Sequence, residues 1–245
     1  MKFIFITVAL ASLILIQANC GSKNTQTAAA VNSANTTEAA EQVVDPGARS
    51  EAQKLLEQGN ELARQDKDAE AAEVYQRAVS LDPDLAEAHL RLAMTYLVLE
   101  KKDEAEAEYK KAAEAYQKYV RQNPKDAKAY FDMGLAYSKI GKPAEAVKAL
   151  QQAARLEPEN SDYQYELGIA YSKVSQYQES VNALQKALDL NPDNYRAQEA
   201  FEKAKVDLQR WQSMVKQQEA MARRQANKNA NVNANTSSSP TPEVH

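Results

Sequence analysis

Four prolines stand at regular intervals in the middle of the chain. Pro83, Pro124, Pro158 and Pro192 are separated by 41, 34 and 34 residues. When seven extra residues after Ala112 are set aside, a small residue precedes each proline by 24 positions and a large residue precedes it by 21. The small residues are Gly59, Ala93, Gly134 and Gly168, and the large ones are Leu62, Tyr96, Tyr137 and Tyr171. A period of this length predicts stacked copies of one structural unit.

Each unit has the pattern of a helix pair. Small residues opposite large ones let two helices interdigitate, and proline stops a helix because it lacks an N–H and restricts the residue before it. The six glycines and 7% aromatic residues, mostly tyrosine, argue against a β-rich fold. The predicted pairs are 52–65 with 69–81, 86–99 with 103–122, 127–140 with 144–157, and 161–174 with 178–190. The seven extra residues are close to two helical turns, so the longer helix keeps its buried face in phase.

One further helix is predicted over residues 195–226. Its larger apolar residues recur at steps of three and four, which makes one apolar stripe on an otherwise polar helix. The stripe consists of Phe201, Ala204, Leu208, Trp211 and Val215. It indicates a cap that shields the last hydrophobic face of the stack, and a coiled-coil dimer seam is the competing interpretation.

The repeated residues resemble the tetratricopeptide repeat over residues 48–194, in four copies of which the second is extended by seven residues. The aromatic residue that usually opens the first helix is absent from most copies, where Leu55, His89 and Gln164 stand, and only Tyr130 is close to the pattern. The resemblance implies an all-α fold, a right-handed α-solenoid of four helix pairs followed by the C-terminal capping helix. It also implies a concave groove, lined by the first helix of each pair, that holds a peptide or helix of a protein partner.

The groove positions of that family fall on eleven candidate residues here: Leu56, Asn60, Leu90, Met94, Leu97, Lys128, Phe131, Leu135, Tyr165, Ile169 and Lys173. Their centre is apolar, and apolar patches of this size usually mark a partner site. The competing interpretation is that several of these side chains pack against the neighbouring repeat. The family subtype that binds a free carboxylate needs Lys, Asn and Arg where Leu56, Arg91 and Asp132 stand, so an amphipathic helix is the expected ligand.

The first twenty residues have the pattern of an export signal. Lys2 precedes an uncharged, mostly apolar run from Phe3 to Ile16, which is too short to span a bilayer comfortably. The single cysteine, Cys20, follows at the place where bacterial lipoprotein precursors carry the cysteine that is acylated, and the segment resembles them in this respect. Gln17 and Asn19 depart from the usual box of that family, so cleavage without acylation and retention of the segment stay open as alternatives.

Residues 21–47 and 227–245 are predicted to be disordered, because their small and polar side chains bury too little apolar surface to offset the ordering entropy. The first segment would tether the repeats to a lipid anchor at Cys20. Gly21 after the cysteine resembles the sorting pattern of outer-membrane lipoproteins. The sequence therefore predicts an exported protein that is lipid-anchored in the outer membrane and faces the periplasm, or is otherwise soluble in the periplasm or secreted.

Several classes of function are not expected. One cysteine and two histidines cannot make a usual four-ligand zinc site. No phosphate loop or nucleophile motif occurs, and His89 lies within a repeat helix where no partner for a general base is predicted. The net charge of -4 gives no overall attraction to nucleic acid. The expected function is a non-enzymatic interaction scaffold of the bacterial cell envelope without a cofactor. The alternative is a structural protein that self-associates through the cap helix or the groove.

Overall fold

The computed structural model describes residues 45–237, and every regular element in that range is an α-helix. The helices are α1 (Pro46–Arg64), α2 (Asp68–Leu81), α3 (Ala86–Val98), α4 (Lys102–Gln122), α5 (Ala127–Lys139), α6 (Pro143–Leu156), α7 (Ser161–Lys173), α8 (Tyr177–Leu190) and α9 (Tyr195–Ser237). Across these residues, no helix combines the length and the hydropathy that crossing a bilayer requires. The prediction of an all-helical solenoid is confirmed.

Side chains that can accept hydrogen bonds mark several helix starts. Asp45, Asp126 and Asn160 accept from first-turn amides of α1, α5 and α7, as N-cap residues do. Helices α2 to α8 begin and end within one residue of their predicted bounds. Helix α1 begins six residues earlier than predicted because Asp45 caps it and Pro46 takes the first helical position, where its missing N–H is not needed. The last two residues of the predicted 21–47 tether are therefore helical.

The turn inside each pair contains one residue in the left-handed region. These residues are Asp66, Glu100, Gly141 and Ser175, with φ angles of 57°, 60°, 72° and 60°. They stand at the same position of each repeat. A left-handed conformation costs a residue with a β-carbon about 1 to 2 kcal/mol, so three of the four turns retain a conformation that suits glycine better.

The two helices of a pair approach closely at the small residue of the repeat. The large residue that lies over it comes from the second helix, 16 positions later: Tyr75 covers Gly59, Leu150 covers Gly134 and Leu184 covers Gly168. The alanines at two further repeat positions have no exposed surface, namely Ala71, Ala105 and Ala146, and Ala78, Ala112 and Ala153. Small side chains at these points bring the helices together, as the sequence pattern predicts.

The first helices of the pairs form one layer. Helix α3 contacts α1 and α5 in addition to its own partner α4, and α5 contacts α7. The second helices lie on the other side, with the hydrophobic core between the two layers. This arrangement leaves the outer surface of the first-helix layer, α1, α3, α5 and α7, free to bind a ligand.

Helix α9 continues the stack at its inner end. It contacts α7 and α8 in the same way that α7 contacts α5 and α6, so it takes the place of the first helix of a fifth pair. Ala197 and Ala204 are at most 1% exposed, and Phe201 packs against the cluster that contains Leu188. This inner half makes the contacts that a terminal cap requires.

The outer half of α9 extends past the repeats. Its predicted end at residue 226 is wrong, because the helix continues to Ser237 and includes residues 227–237 of the predicted tail. That segment contains alanine and asparagine but no proline or glycine, and the next proline is Pro240, so nothing in it stops a helix. Residues 238–245 and 1–44, with Cys20 and the rest of the predicted signal, lie outside the described residues.

Candidate partner-binding groove

Three open cavities follow one another along α1, α3 and α5. An apolar cavity of about 180 Å³ lies between α3 and α5. A second, of about 510 Å³, lies between α1 and α3, and a third, of about 460 Å³, lies towards the N-terminal ends of α3 and α5. The first two share Met94 and the last two share Asn60. We call this continuous surface the groove.

One end of the groove is apolar and exposed. Met94 and Leu97 of α3 are 43% and 39% exposed, and they line the smallest cavity with the half-buried Leu135. Val98 beside them is 64% exposed. Three neighbouring exposed apolar side chains on a helix that is otherwise well packed indicate a surface that a partner covers.

Two of the predicted groove residues are not exposed. Leu56 and Leu90 are only 8% and 3% exposed, because they turn inward and join the hydrophobic core. They still contribute to the floor of the cavities on either side of α3. The apolar surface is therefore narrower than the sequence predicts.

In the third and fourth copies, aromatic groove residues make contacts between repeats. Phe131 is half-buried and stacks on Tyr163 with 4.6 Å between ring centroids. Tyr165 packs on the core beside α9, and the Arg196 guanidinium lies 5.2 Å from its ring centroid. For these two residues, packing between repeats is the better interpretation.

The remaining residues of the third and fourth copies lie at the surface to different degrees. Leu135 and Ile169 are half-buried. Lys173 is exposed, and its Nζ donates to Ser138 Oγ at 2.7 Å. The exposed apolar part of the groove is thus concentrated on α3 and its border with α5.

The other end of the groove is acidic. Five carboxylates line the 460 Å³ cavity with one cation, Lys128: they are Glu57, Asp84, Glu87, Asp126 and Asp132. Arg91 and Lys118 also pair with two of these carboxylates, Arg91 with Glu87 at 3.0 Å and Lys118 with Asp84 at 2.7 Å. With these cations included, the carboxylates still outnumber the cations by two, which favours a cationic ligand.

The seven-residue extension of α4 contributes to this acidic end. Two of its tyrosines line the cavity. The Tyr116 hydroxyl donates to Asp132 at 2.9 Å and the Tyr119 hydroxyl donates to Asp126 at 3.1 Å. Sequence reasoning treats the extension as a change of helix length only, and the tyrosines within it are the signal that could have indicated a role in the groove.

Asp132 organises the acidic end from a buried position. It is 7% exposed, and besides Tyr116 it accepts from Lys128 Nζ at 2.7 Å. Burial and the neighbouring Asp132 charge raise the pKa of Tyr116, so its hydroxyl keeps the proton that it donates. Burial lowers the pKa of Lys128, but its hydrogen bond and ion pair with Asp132 more than reverse this.

The two residues that match the carboxylate-binding subtype are engaged within the fold. Asn60 accepts from the Tyr75 hydroxyl at 2.8 Å. Lys128 lies between two carboxylates, Asp132 at 2.7 Å and Glu87 at 3.6 Å. A carboxylate ligand would have to approach these same negative charges, so this part of the groove is unsuited to a free C-terminus.

One donor in the groove is unsatisfied. Arg91 Nε is buried and has no acceptor among residues 45–237, although Arg91 Nη2 donates to Glu87. Arg91 lines the cavity between α1 and α3. An unsatisfied buried donor is costly, and a ligand carbonyl or hydroxyl at this point would satisfy it.

His89 has a partner that the sequence did not predict. Its Nδ1 lies 2.6 Å from Glu108 Oε2 and its Nε2 lies 3.1 Å from the Pro83 carbonyl. Both ring nitrogens are thus engaged in a buried position, and His89 lines none of the three cavities that form the groove. Gln164, at the same repeat position, donates to the Pro158 carbonyl at 3.3 Å. The two polar residues replace the usual aromatic and tie the first helix to the preceding turn.

The described residues hold no group of three or more histidine, cysteine, aspartate or glutamate side chains placed to bind a metal ion. The acidic end of the groove is instead occupied by its own hydrogen bonds to lysine and tyrosine. Its chemistry fits recognition of a cationic side chain.

Comparisons with known proteins agree with the fold. Residues 84–159, 59–98 and 161–194 match three family models, described as tetratricopeptide repeat, TPR repeat and tetratricopeptide repeat. Among solved structures, the chain is similar to MamA protein, with 23% identity over 68% of this chain and 87% of that chain and a TM-score of 0.50. It is also similar to YrrB, described as a TPR protein with an unusual peptide-binding site, with 23% identity, 60% and 90% coverage and a TM-score of 0.35. No curated protein matches the chain.

Proposed function

We propose that this chain, which belongs to the tetratricopeptide repeat family, is a non-catalytic scaffold that binds an amphipathic helix of a protein partner in its groove. The observation that carries the proposal is the juxtaposition of exposed Met94 and Leu97 with an acidic cavity on the same layer of helices. Proteins of this family are typically interaction scaffolds rather than enzymes, and helices commonly dock their apolar face into such grooves.

The two ends of the groove define the chemistry of the ligand. An apolar side chain would cover Met94 and Leu97, and a lysine or arginine of the ligand would approach the carboxylates at the other end. Arg91 Nε, which is buried and unsatisfied in the described residues, would receive an acceptor from the ligand. A helix with one apolar stripe and basic residues about three turns away meets these requirements.

A selection of displayed helical peptides against the purified protein tests this proposal. The enriched peptides should carry apolar residues at spacings of three and four together with lysine or arginine. The Leu97→Glu variant should bind them at least about tenfold more weakly, because the substitution places a charge in the apolar end of the groove. A matched control, Gln212→Glu, adds the same charge on exposed α9 and should not change binding. Peptides that bind both variants equally would contradict the proposal.

The proposed location is the bacterial cell envelope, with a lipid anchor on Cys20 in the outer membrane and the repeats in the periplasm. The proposal is supported by the sequence of residues 1–20, by the single cysteine at the end of that segment, and by Gly21 after it. The alternatives are a soluble periplasmic or secreted protein.

Intact mass of the mature protein, expressed with its own leader in a bacterial host, tests the location. We expect a mass that begins at Cys20 and includes acyl chains, in the membrane fraction. The Cys20→Ser variant should lose both the added mass and the membrane association. An unmodified mass in the soluble fraction of the wild type would overturn the lipid anchor and leave the groove proposal intact.

A further inference from the structure

The outer half of α9 has an apolar face that nothing in the described residues covers. Trp211, Met214 and Met221 are 45%, 62% and 63% exposed. These residues continue the stripe by which Phe201 and Leu208 pack the same helix against the stack. Three large apolar side chains on one exposed helix segment indicate a surface that is covered in a complex.

The same segment is strongly basic. Residues 209–237 contain five basic side chains, Arg210, Lys216, Arg223, Arg224 and Lys228, and one acidic side chain, Glu219. The segment therefore has a net charge of +4 by these counts. Two such segments repel each other, which disfavours a paired α9 seam between two copies, whereas the acidic end of the groove attracts them.

The spacing of the residues on α9 matches that on α3 in the reverse direction. On α3, Leu90 and Glu87 precede Leu97 by seven and ten positions, and on α9 Met221 and Arg224 follow Met214 by the same numbers. Ten residues of helix span about 15 Å. An α9 segment antiparallel to α3 would thus place Met214 on Leu97, Met221 over the cavity above Leu90, and Arg224 beside Glu87.

Lys228 follows the same face. It stands seven positions after Met221, so it lies about two turns further along the helix on the same side. In the antiparallel arrangement it comes opposite the turn that contains Asp84, one of the carboxylates of the acidic cavity. Apolar residues and charges are thus matched along the whole length of the groove.

The segment cannot reach the groove of its own chain. Helix α9 is continuous from Tyr195 to Ser237, and its inner end is held against α7 and α8. At 1.5 Å per residue its 43 residues are about 64 Å long, so the outer half projects from the end of the stack opposite α1. A second copy is the occupant that this geometry favours.

We propose that the outer half of α9 of one copy binds in the groove of a second copy, so that the protein associates head to tail. The inference rests on the proposed function, because it names the helix that the groove accepts. The contact joins two different surfaces, so each copy retains one unused surface, and larger assemblies form as the concentration rises.

Complementation between two variants tests the inference, using the chain from residue 21 to 245, which is the proposed mature chain without its acylated cysteine. The groove variant is Leu97→Glu and the α9 variant is Met214→Glu. Both positions are exposed, so the variants should keep the helical content of the wild type, checked by circular dichroism. Gln212→Glu, on the opposite face of α9, is the matched control.

Sedimentation velocity should show that the wild type and the control associate with increasing concentration and that each of the two variants alone is monomeric. An equimolar mixture of the variants should form a 1:1 complex, because one supplies an intact groove and the other an intact α9. The only tryptophan, Trp211, reports the contact, and its emission should shift to shorter wavelength in the wild type and in the mixture. High salt should weaken the association.

Three results would overturn the inference. A groove variant that still self-associates would indicate pairing of α9 with α9. A mixture that stays monomeric would show that the two surfaces do not meet, and a wild type that is monomeric at every concentration would show that the copies do not bind. In the last two cases, binding of selected peptides to the groove would leave the proposed function standing, and loss of that binding as well would remove both.

Discussion

Gly134 lies so close to Leu150 that a β-carbon on Gly134 would come within 2.6 Å of Leu150 Cγ. The same relation holds between Gly168 and Leu184, and between Gly59 and the ring of Tyr75. In the second copy Ala93 occupies the glycine position and is fully buried. The closest approach of the helices is therefore a repeated feature that three of four copies achieve with glycine.

The Gly134→Ala variant is expected to be less stable than the wild type by about 1 kcal/mol. Alanine gains about 1 kcal/mol in helix propensity, but overpacking against Leu150 costs about 1 to 3 kcal/mol. Urea unfolding followed by circular dichroism measures the difference. Ala93→Gly is the companion variant, and it should lose stability through helix propensity alone. A Gly134→Ala protein more stable than the wild type would show that the helices separate easily.

The left-handed turn residues predict changes of opposite sign at equivalent positions. Glu100→Gly should stabilise the protein by roughly 0.5 to 1 kcal/mol, because it relieves the left-handed strain at a smaller cost in unfolded-state entropy. Gly141→Ala should destabilise it by about 1 kcal/mol, although no atom lies within 4 Å of a β-carbon built there. Thermal unfolding of both variants measures the effect. Changes of the same sign would contradict the role of this turn.

The pair of His89 and Glu108 predicts a dependence of stability on pH. Burial raises the pKa of the Glu108 carboxyl, but hydrogen bonds from His89 and Lys111 outweigh burial and leave the pKa below its ordinary value of 4.5. A carboxyl whose pKa is lowered by folding stabilises the protein above the unfolded value, and this contribution is lost as the pH falls through the folded value.

Glu108→Gln should therefore be less stable than the wild type at neutral pH, by about 1.5 to 3 kcal/mol for a hydrogen bond to a charged group. The difference should shrink as the pH falls below 4.5. Urea unfolding at a series of pH values between 3 and 7, on the order of one unit apart, measures it. Asp103→Asn, an exposed carboxyl at the start of α4, is the control. A difference that stays constant across the series would exclude ionisation of Glu108 as the cause.

The helices were predictable because their ends are encoded locally. Proline, the small residues and the 34-residue period fix the bounds of α2 to α8 to within one residue. The errors lie at the ends of the stack, where the repeat no longer constrains the chain. Asp45 and Pro46 start α1 earlier, and the lack of any proline or glycine between residues 227 and 237 lets α9 continue.

The groove was predictable in position and only partly in character. Family positions give the helix face, but the packing of neighbouring repeats decides whether a side chain such as Leu90 is exposed. The acidic end depends on side chains that come from a turn, a neighbouring helix and the α4 extension, so no single stretch of sequence carries it. The partner of His89 lies 19 residues away on another helix, and only the fold brings the two together.

Site-specific photocrosslinking in the native envelope tests the central claim most directly. A photoreactive residue in place of Leu97 lies in the groove, and one in place of the exposed Lys148 of α6 lies on the layer of second helices. We expect protein adducts from position 97 that the Met94→Glu substitution removes, and none from position 148. Adducts from position 148 with none from position 97 would contradict the account, because the partner would then bind outside the groove.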